Sequence, residues 1–137
     1  MDAKIKNYYF LIAGVLAMLF AVTHAWNGQS TVLPTLFAND IAMDSQITFE
    51  YVWHIITAEN LVFGTVFVIL SFQSERSKTR FVAWMIVSLL LVRLLVILGI
   101  TASYDVSALT HTLVDSLAIL IYIAIIILGI KMKTRPL

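Results

Sequence analysis

Six ionisable residues lie inside or at the ends of long apolar runs of this chain: His24, His54, Glu59, Arg93, His111 and Asp115. Charged groups in such surroundings are costly and normally face a bundle interior, a water-filled cavity or a partner. Three histidines from three segments would leave one coordination position open, the pattern of catalytic zinc. Two histidines and a carboxylate suit ferrous iron. A haem between His24 and either His54 or His111 leaves the third histidine and the buried charges without a role. Without a metal, the carboxylates Glu59 and Asp115 and an imidazole could move a proton on a lipophilic substrate. Arg93 would then hold an anion or polarise a carbonyl. These residues are single and widely spaced, so they form no compact ligand motif.

The elements that must carry them follow from composition. The chain has 137 residues, 61% hydrophobic and 12% charged, with a formal net charge of +1; its mean hydropathy is +0.95. Soluble domains carry about 25% charged residues. With no cysteine, disulfide scaffolds and thiol chemistry are excluded. Nine Lys and Arg against eight Asp and Glu leave no basic excess for nucleic acid. Crossing a hydrocarbon core of about 30 Å takes roughly 20 helical residues, and four stretches qualify: about 8–26, 49–72, 81–100 and 109–130. The expectation is an all-α integral membrane protein, a single membrane domain folded as an antiparallel four-helix bundle.

Cations set the orientation. Lys4, Lys6, Arg76, Lys78, Arg80, Lys131, Lys133 and Arg135 lie at the two ends of the chain or in the second connection. The first and third connections carry Asp40, Asp44, Glu50 and Asp105 and no Lys or Arg. The positive-inside rule places both termini in the cytoplasm, as in a bacterial inner membrane. Lys4 and Lys6 before an apolar run, with Ala25 beyond it, mimic a signal peptide; the run is read as a retained first span. No repeat relates the two halves, so an inverted-repeat transporter is unsupported.

In this frame the six ionisable residues occupy the outer half of the bundle. Arg93 and Asp115 lie roughly 10 Å below the outer helix ends, and Glu59 about 15 Å. The inner half offers Ser88 and Tyr122. On the first helix Gly14, Ala17, Ala21, His24 and Gly28 share a face that small residues suit for close packing. On the fourth, His111 and Asp115 are four apart and adjacent, with Ser107, Ala118, Tyr122 and Gly129 continuing that face. Ile119, Leu120, Ile123 and Ile126 form the lipid-compatible side. On the second, His54 and Glu59 point about 140° apart. Either the core spans a broad sector, or His54, Thr57, Asn60 and Gly64 face inward while Glu59 turns to a neighbouring helix or another subunit. Arg93 snorkels to the outer headgroups or pairs with Asp115 or Glu59. The connection 27–48 is expected to hold a short interfacial helix opened by Pro34, acting as a surface element or a lid.

The functional expectation is a polar pocket in the outer half of the bundle. Glu59, Asp115 and Arg93 are its catalytic candidates and His24, His54 and His111 its metal candidates; Asn27, Thr57, Asn60 and Tyr122 line it. Its cofactor would be zinc or iron, or less readily haem, and its ligand a lipophilic small molecule. Alternatives are a non-catalytic assembly subunit, as a homo-oligomer or with a partner membrane subunit, or a proton- or cation-coupled transporter. Membrane lipids complete the expected partners, and nucleic acid is not among them.

Overall fold

The computed structural model describes residues 4–132, and among these residues all regular structure is helical. Helix α1 spans Tyr8–Asn27 and runs through a π-helical turn, Gly28–Val32, into the short α2, Leu33–Phe37. Helix α3 spans Met43–Phe72 and α4 spans Arg76–Tyr104; a 3₁₀ turn, Val106–Thr112, leads into α5, Leu113–Lys131. Four helical stretches, Tyr8–Phe37, Met43–Phe72, Arg76–Tyr104 and Val106–Lys131, are long and apolar enough to cross a membrane. Large apolar side chains such as Val22, Leu95 and Val114 are exposed along them, as lipid-facing helices require.

Helix α1 is the centre of the packing. Its Gly14 lies against Gly64 of α3 so closely that a Cβ there would come 2.7 Å from Val68 Cγ2 and 2.9 Å from the Gly64 carbonyl oxygen. Ala13, Ala17 and Ala21 continue this buried face. The small-residue stripe expected on the first helix is thus inward, with His24 half-buried at its end. On its other side α1 packs on α5, which in turn packs on α4. Phe10, Phe63, Phe67, Val87, Leu90, Tyr122 and Ile126 fill the interior. Phe67 and Phe20 meet the Tyr122 ring edge-on, with centroids 6.3 and 5.8 Å away, a favoured aromatic geometry. Helices α3 and α4 are joined by only Gln73, Ser74 and Glu75 yet touch little along their length.

Three expectations require correction. The first connection is not a long loop: helix continues to Phe37 and resumes at Met43, leaving only residues 38–42 between. Hydropathy marks the apolar part of a helix and misses polar turns that continue it. Pro34 does sit in the first turn of α2, where its missing N–H is tolerated. Second, His111 belongs to the 3₁₀ turn and not to the last helix, so α-helical spacing does not join it to Asp115. Third, Ile123 and Ile126 are core residues at 6% and 0% exposure, whereas Ser107, His111 and Asp115 are exposed. The inward face of α5 carries Ser116, Tyr122, Ile123, Ile126, Gly129 and Ile130, so the expected face does turn inward at Tyr122 and Gly129 and fails at its His111–Asp115 end. At this end of the helix the ionisable residues do not mark the packed side, whereas the hydroxyls of Ser116 and Tyr122 do.

Candidate functional site

The opposite end of the bundle from the chain's described termini is built around two adjoining polar groups. In the first, α3 and α4 are bridged by the Arg93 guanidinium, which pairs with the Glu59 carboxylate and donates to Asn60 Oδ1 at 3.3 Å. Arg93 lies 13 residues past Arg80, about 20 Å along the helix. The Arg93 side chain is 19% exposed and Glu59 40%. Asn60, one position on, turns into the core at 9% exposure. Glu59 therefore looks toward a neighbouring helix, the second of the two arrangements the sequence allows. The ion pair offsets part of the desolvation of each charge. An arginine has five N–H donors, so the bridge leaves donors available to a ligand.

The second group joins α1 to α3. The His24 Nδ1 lies 3.1 Å from the Thr57 hydroxyl, and its ring stacks on Trp53 with centroids 4.3 Å apart and planes 17° from parallel. The Trp53 indole N–H donates to the His24 carbonyl at 2.9 Å. This contact accompanies the π turn. The indole shares a carbonyl that also accepts the Gly28 N–H, and the Leu33 N–H reaches back five residues to the Gly28 carbonyl. A Cβ on Gly28 would overlap the Trp53 ring, so glycine is needed at this approach. The widened turn points Gln29 at α3, where its amide lies 2.8 Å from His54 Nε2. Single π turns recur at functional sites.

On α5, two hydroxyls are buried without hydrogen-bond partners among the described residues, Ser116 Oγ and Tyr122 Oη. Arg93 is within electrostatic reach of both Tyr122 and His24. A buried hydroxyl without a partner carries a desolvation penalty of about 1–3 kcal/mol. A polar ligand atom or a water would relieve it.

The structure brings Glu59, Asn60 and Arg93 together and, beside them, His24, Thr57 and Trp53. Asn27 is exposed at the end of α1. Asp115 and His111 are exposed and make no hydrogen bond to each other among the described residues. No group of three or more His, Asp or Glu side chains converges there in a way that could hold a metal ion. His54 instead faces Gln29, and His111 lies outside the packed helices. Sequence reasoning missed Gln29, Trp53 and Ser116. Trp53 carried a signal, but it reads as an interfacial aromatic until its indole is seen against the His24 carbonyl.

No protein-family model, curated protein or solved structure matches this chain.

Proposed function

We propose that the chain is an integral membrane protein that binds the polar head of a lipophilic small molecule at the Glu59–Asn60–Arg93 cluster. The observation that carries this reading is the conjunction of an arginine with donors to spare and two buried, unpartnered hydroxyls on the facing helix. A carbonyl or anionic oxygen would accept from Arg93 and from the Tyr122 hydroxyl. Glu59 would act as proton acceptor and the His24 ring as the second acid–base group. The sparse contact between α3 and α4 gives the apolar remainder a lateral route from the bilayer. A zinc or iron centre is not part of the proposal, because the three histidines face different partners. Transport is disfavoured: toward the other end, buried Ser71 and Thr79 donate to their own helices' carbonyls at 2.6 and 3.1 Å. Between lies an aromatic and aliphatic seal of Phe10, Phe67, Val87 and Ile126.

The test is mass spectrometry of lipophilic compounds that copurify with the protein. Wild type should retain a discrete species that the charge-neutral double variant Glu59→Gln/Arg93→Gln loses. Equal retention by both would remove the site from the proposal.

A second reading, a subunit of a homo-oligomer or a larger membrane assembly, is favoured by Asp115. Its carboxylate is exposed on α5 beside exposed Leu113, Val114 and Leu117, where a donor from another chain would satisfy it. Crosslinking in native membranes that is abolished by Asp115→Leu would support this role.

A further inference from the structure

The end of the bundle away from the Glu59–Arg93 pair carries its own constructed cavity. It is about 20 Å³ and is lined by Lys6, Asn7, Gln73, Arg76, Thr79 and Arg80, with Phe10 and Leu70 at its floor. A space of about 10–15 Å³ holds one water-sized group, so this one seats a single oxygen. Its frame is tied from three helices. The backbone N–H groups of Lys6 and Asn7 donate to the Ser71 carbonyl of α3 at 2.7 and 3.0 Å. The Asn7 side chain caps α1 through Phe10 N at 3.1 Å and donates to the Gly129 carbonyl of α5 at 2.9 Å.

The electrostatics of this cavity are one-signed. Among the described residues Lys6, Arg76 and Arg80 are without a carboxylate partner, whereas Lys78 is paired with Glu75 at 2.7 Å. Glu75 precedes α4 but makes no capping bond with its side chain, so the first N–H groups of α4 also face this end. A second space of about 270 Å³ adjoins it in the cleft between α3 and α4, with Leu70, Gln73 and Thr79 lining both. The walls of the cleft then become apolar, with Ile69, Leu70 and Val82; Glu75 and Lys78, already paired, stand at its mouth.

We propose that this end of the bundle binds one anionic phospholipid. A phosphate oxygen sits among Lys6, Arg76 and Arg80, and an acyl chain lies in the α3–α4 cleft. The argument for a lipid over a soluble anion is continuity. A free phosphate would use the cations and leave the apolar cleft empty, while a phospholipid has both parts in the order the protein offers them. Basic pockets between membrane helices are established sites for such headgroups. The site is separate from the Glu59–Arg93 cluster and does not rest on it.

The experiment is native mass spectrometry of the full chain in detergent, titrated with phosphatidylglycerol, phosphatidylcholine or inorganic phosphate. One phosphatidylglycerol should bind at least tenfold more tightly than phosphatidylcholine. Arg76→Gln/Arg80→Gln should weaken it by at least tenfold, because both guanidinium groups line the cavity that would hold the phosphate. Lys4→Gln/Lys131→Gln removes the same charge from this end without touching the cavity and should leave binding within about twofold of wild type. Val82→Trp keeps every cation but obstructs the cleft, and should weaken phosphatidylglycerol alone. Equal affinity for the two lipids, equal loss in both double variants, or competition by inorganic phosphate at the lipid's own affinity would overturn the proposal. Circular dichroism confirms that each variant is helical; if the arginine variant unfolds, Val82→Trp decides the question.

Discussion

The bridge between Glu59 and Arg93 is asymmetric. Arg93 is the more buried partner, and removing its counter-ion leaves a cation in apolar surroundings, whereas removing Arg93 leaves a carboxylate that is 40% exposed. Losing one member of a buried pair costs about 3–5 kcal/mol; partial exposure of Glu59 reduces that here to about 2 kcal/mol. Glu59→Leu should therefore destabilise more than Arg93→Leu in detergent thermal unfolding. The double variant should recover most of the loss, and a cycle that is additive instead would show that the pair is not coupled. Sequence placed Glu59, Arg93 and Asp115 at similar depth but could not choose the partner. Depth follows from counting residues along a helix, whereas pairing depends on how each helix is rotated. That rotation is set by contacts such as Gly14 on Gly64. Asp115 shows the difference, being at comparable depth yet on an exposed part of α5.

At the scale of elements, the glycines of this chain separate by what surrounds them. Gly14→Ala would drive a Cβ to 2.8 Å from the Val68 backbone nitrogen, which cannot yield without moving α3. Its expected cost is about 2 kcal/mol, within the range for overpacking a well-filled core. Gly99 is also helical, but nothing lies within 4 Å of an added Cβ. Gly99→Ala should stabilise by about 0.5–1 kcal/mol through helix propensity alone. Thermal unfolding of the two variants side by side checks both signs. The π turn was not legible because its partner, the Trp53 indole, comes from another helix. The four spans were legible because apolar length survives any arrangement of the helices. Their polar extensions were not, and α3 begins at Met43 because Asp44 in its first turn suits the helix dipole while the Ala42 carbonyl accepts from Ser45 and Gln46. Between α4 and the 3₁₀ turn, the Ser107 hydroxyl and then its backbone N–H hold the Asp105 carboxyl below the usual carboxylate range. A depressed acid contributes stability above its unfolded-state pKa, and loses it as pH falls through the folded value. Hydrogen exchange at the Ser107 amide should therefore lose protection below the ordinary carboxylate range. Asp105→Asn should remove that pH dependence.

For the whole molecule, the positive-inside rule turns the separation of charge into an orientation that can be measured. The native chain contains no cysteine, so single cysteines report cleanly on sidedness. A Ser77→Cys variant at the basic end should react with a membrane-impermeant maleimide only after the cells are permeabilised. An Asn39→Cys variant, between α2 and α3, should react in intact cells. The reverse pattern would invert the bundle and move the Glu59–Arg93 cluster to the inner half. The order of helix contacts also bears on how such a chain is made. Asn7 donates to the carbonyl of Gly129, 122 residues later, and a Cβ on Gly129 would come 2.6 Å from the Phe10 ring. Helix α1 is synthesised before α5, so one of its two packing surfaces waits for α5. Until α5 is synthesised, that side of α1 lacks the helix that covers it in the folded bundle. A nascent chain that ends after α4 thus leaves the α5-facing sides of α1 and α4 uncovered. The contact that closes α1 on α5 therefore forms only after every other helix of the bundle has been made.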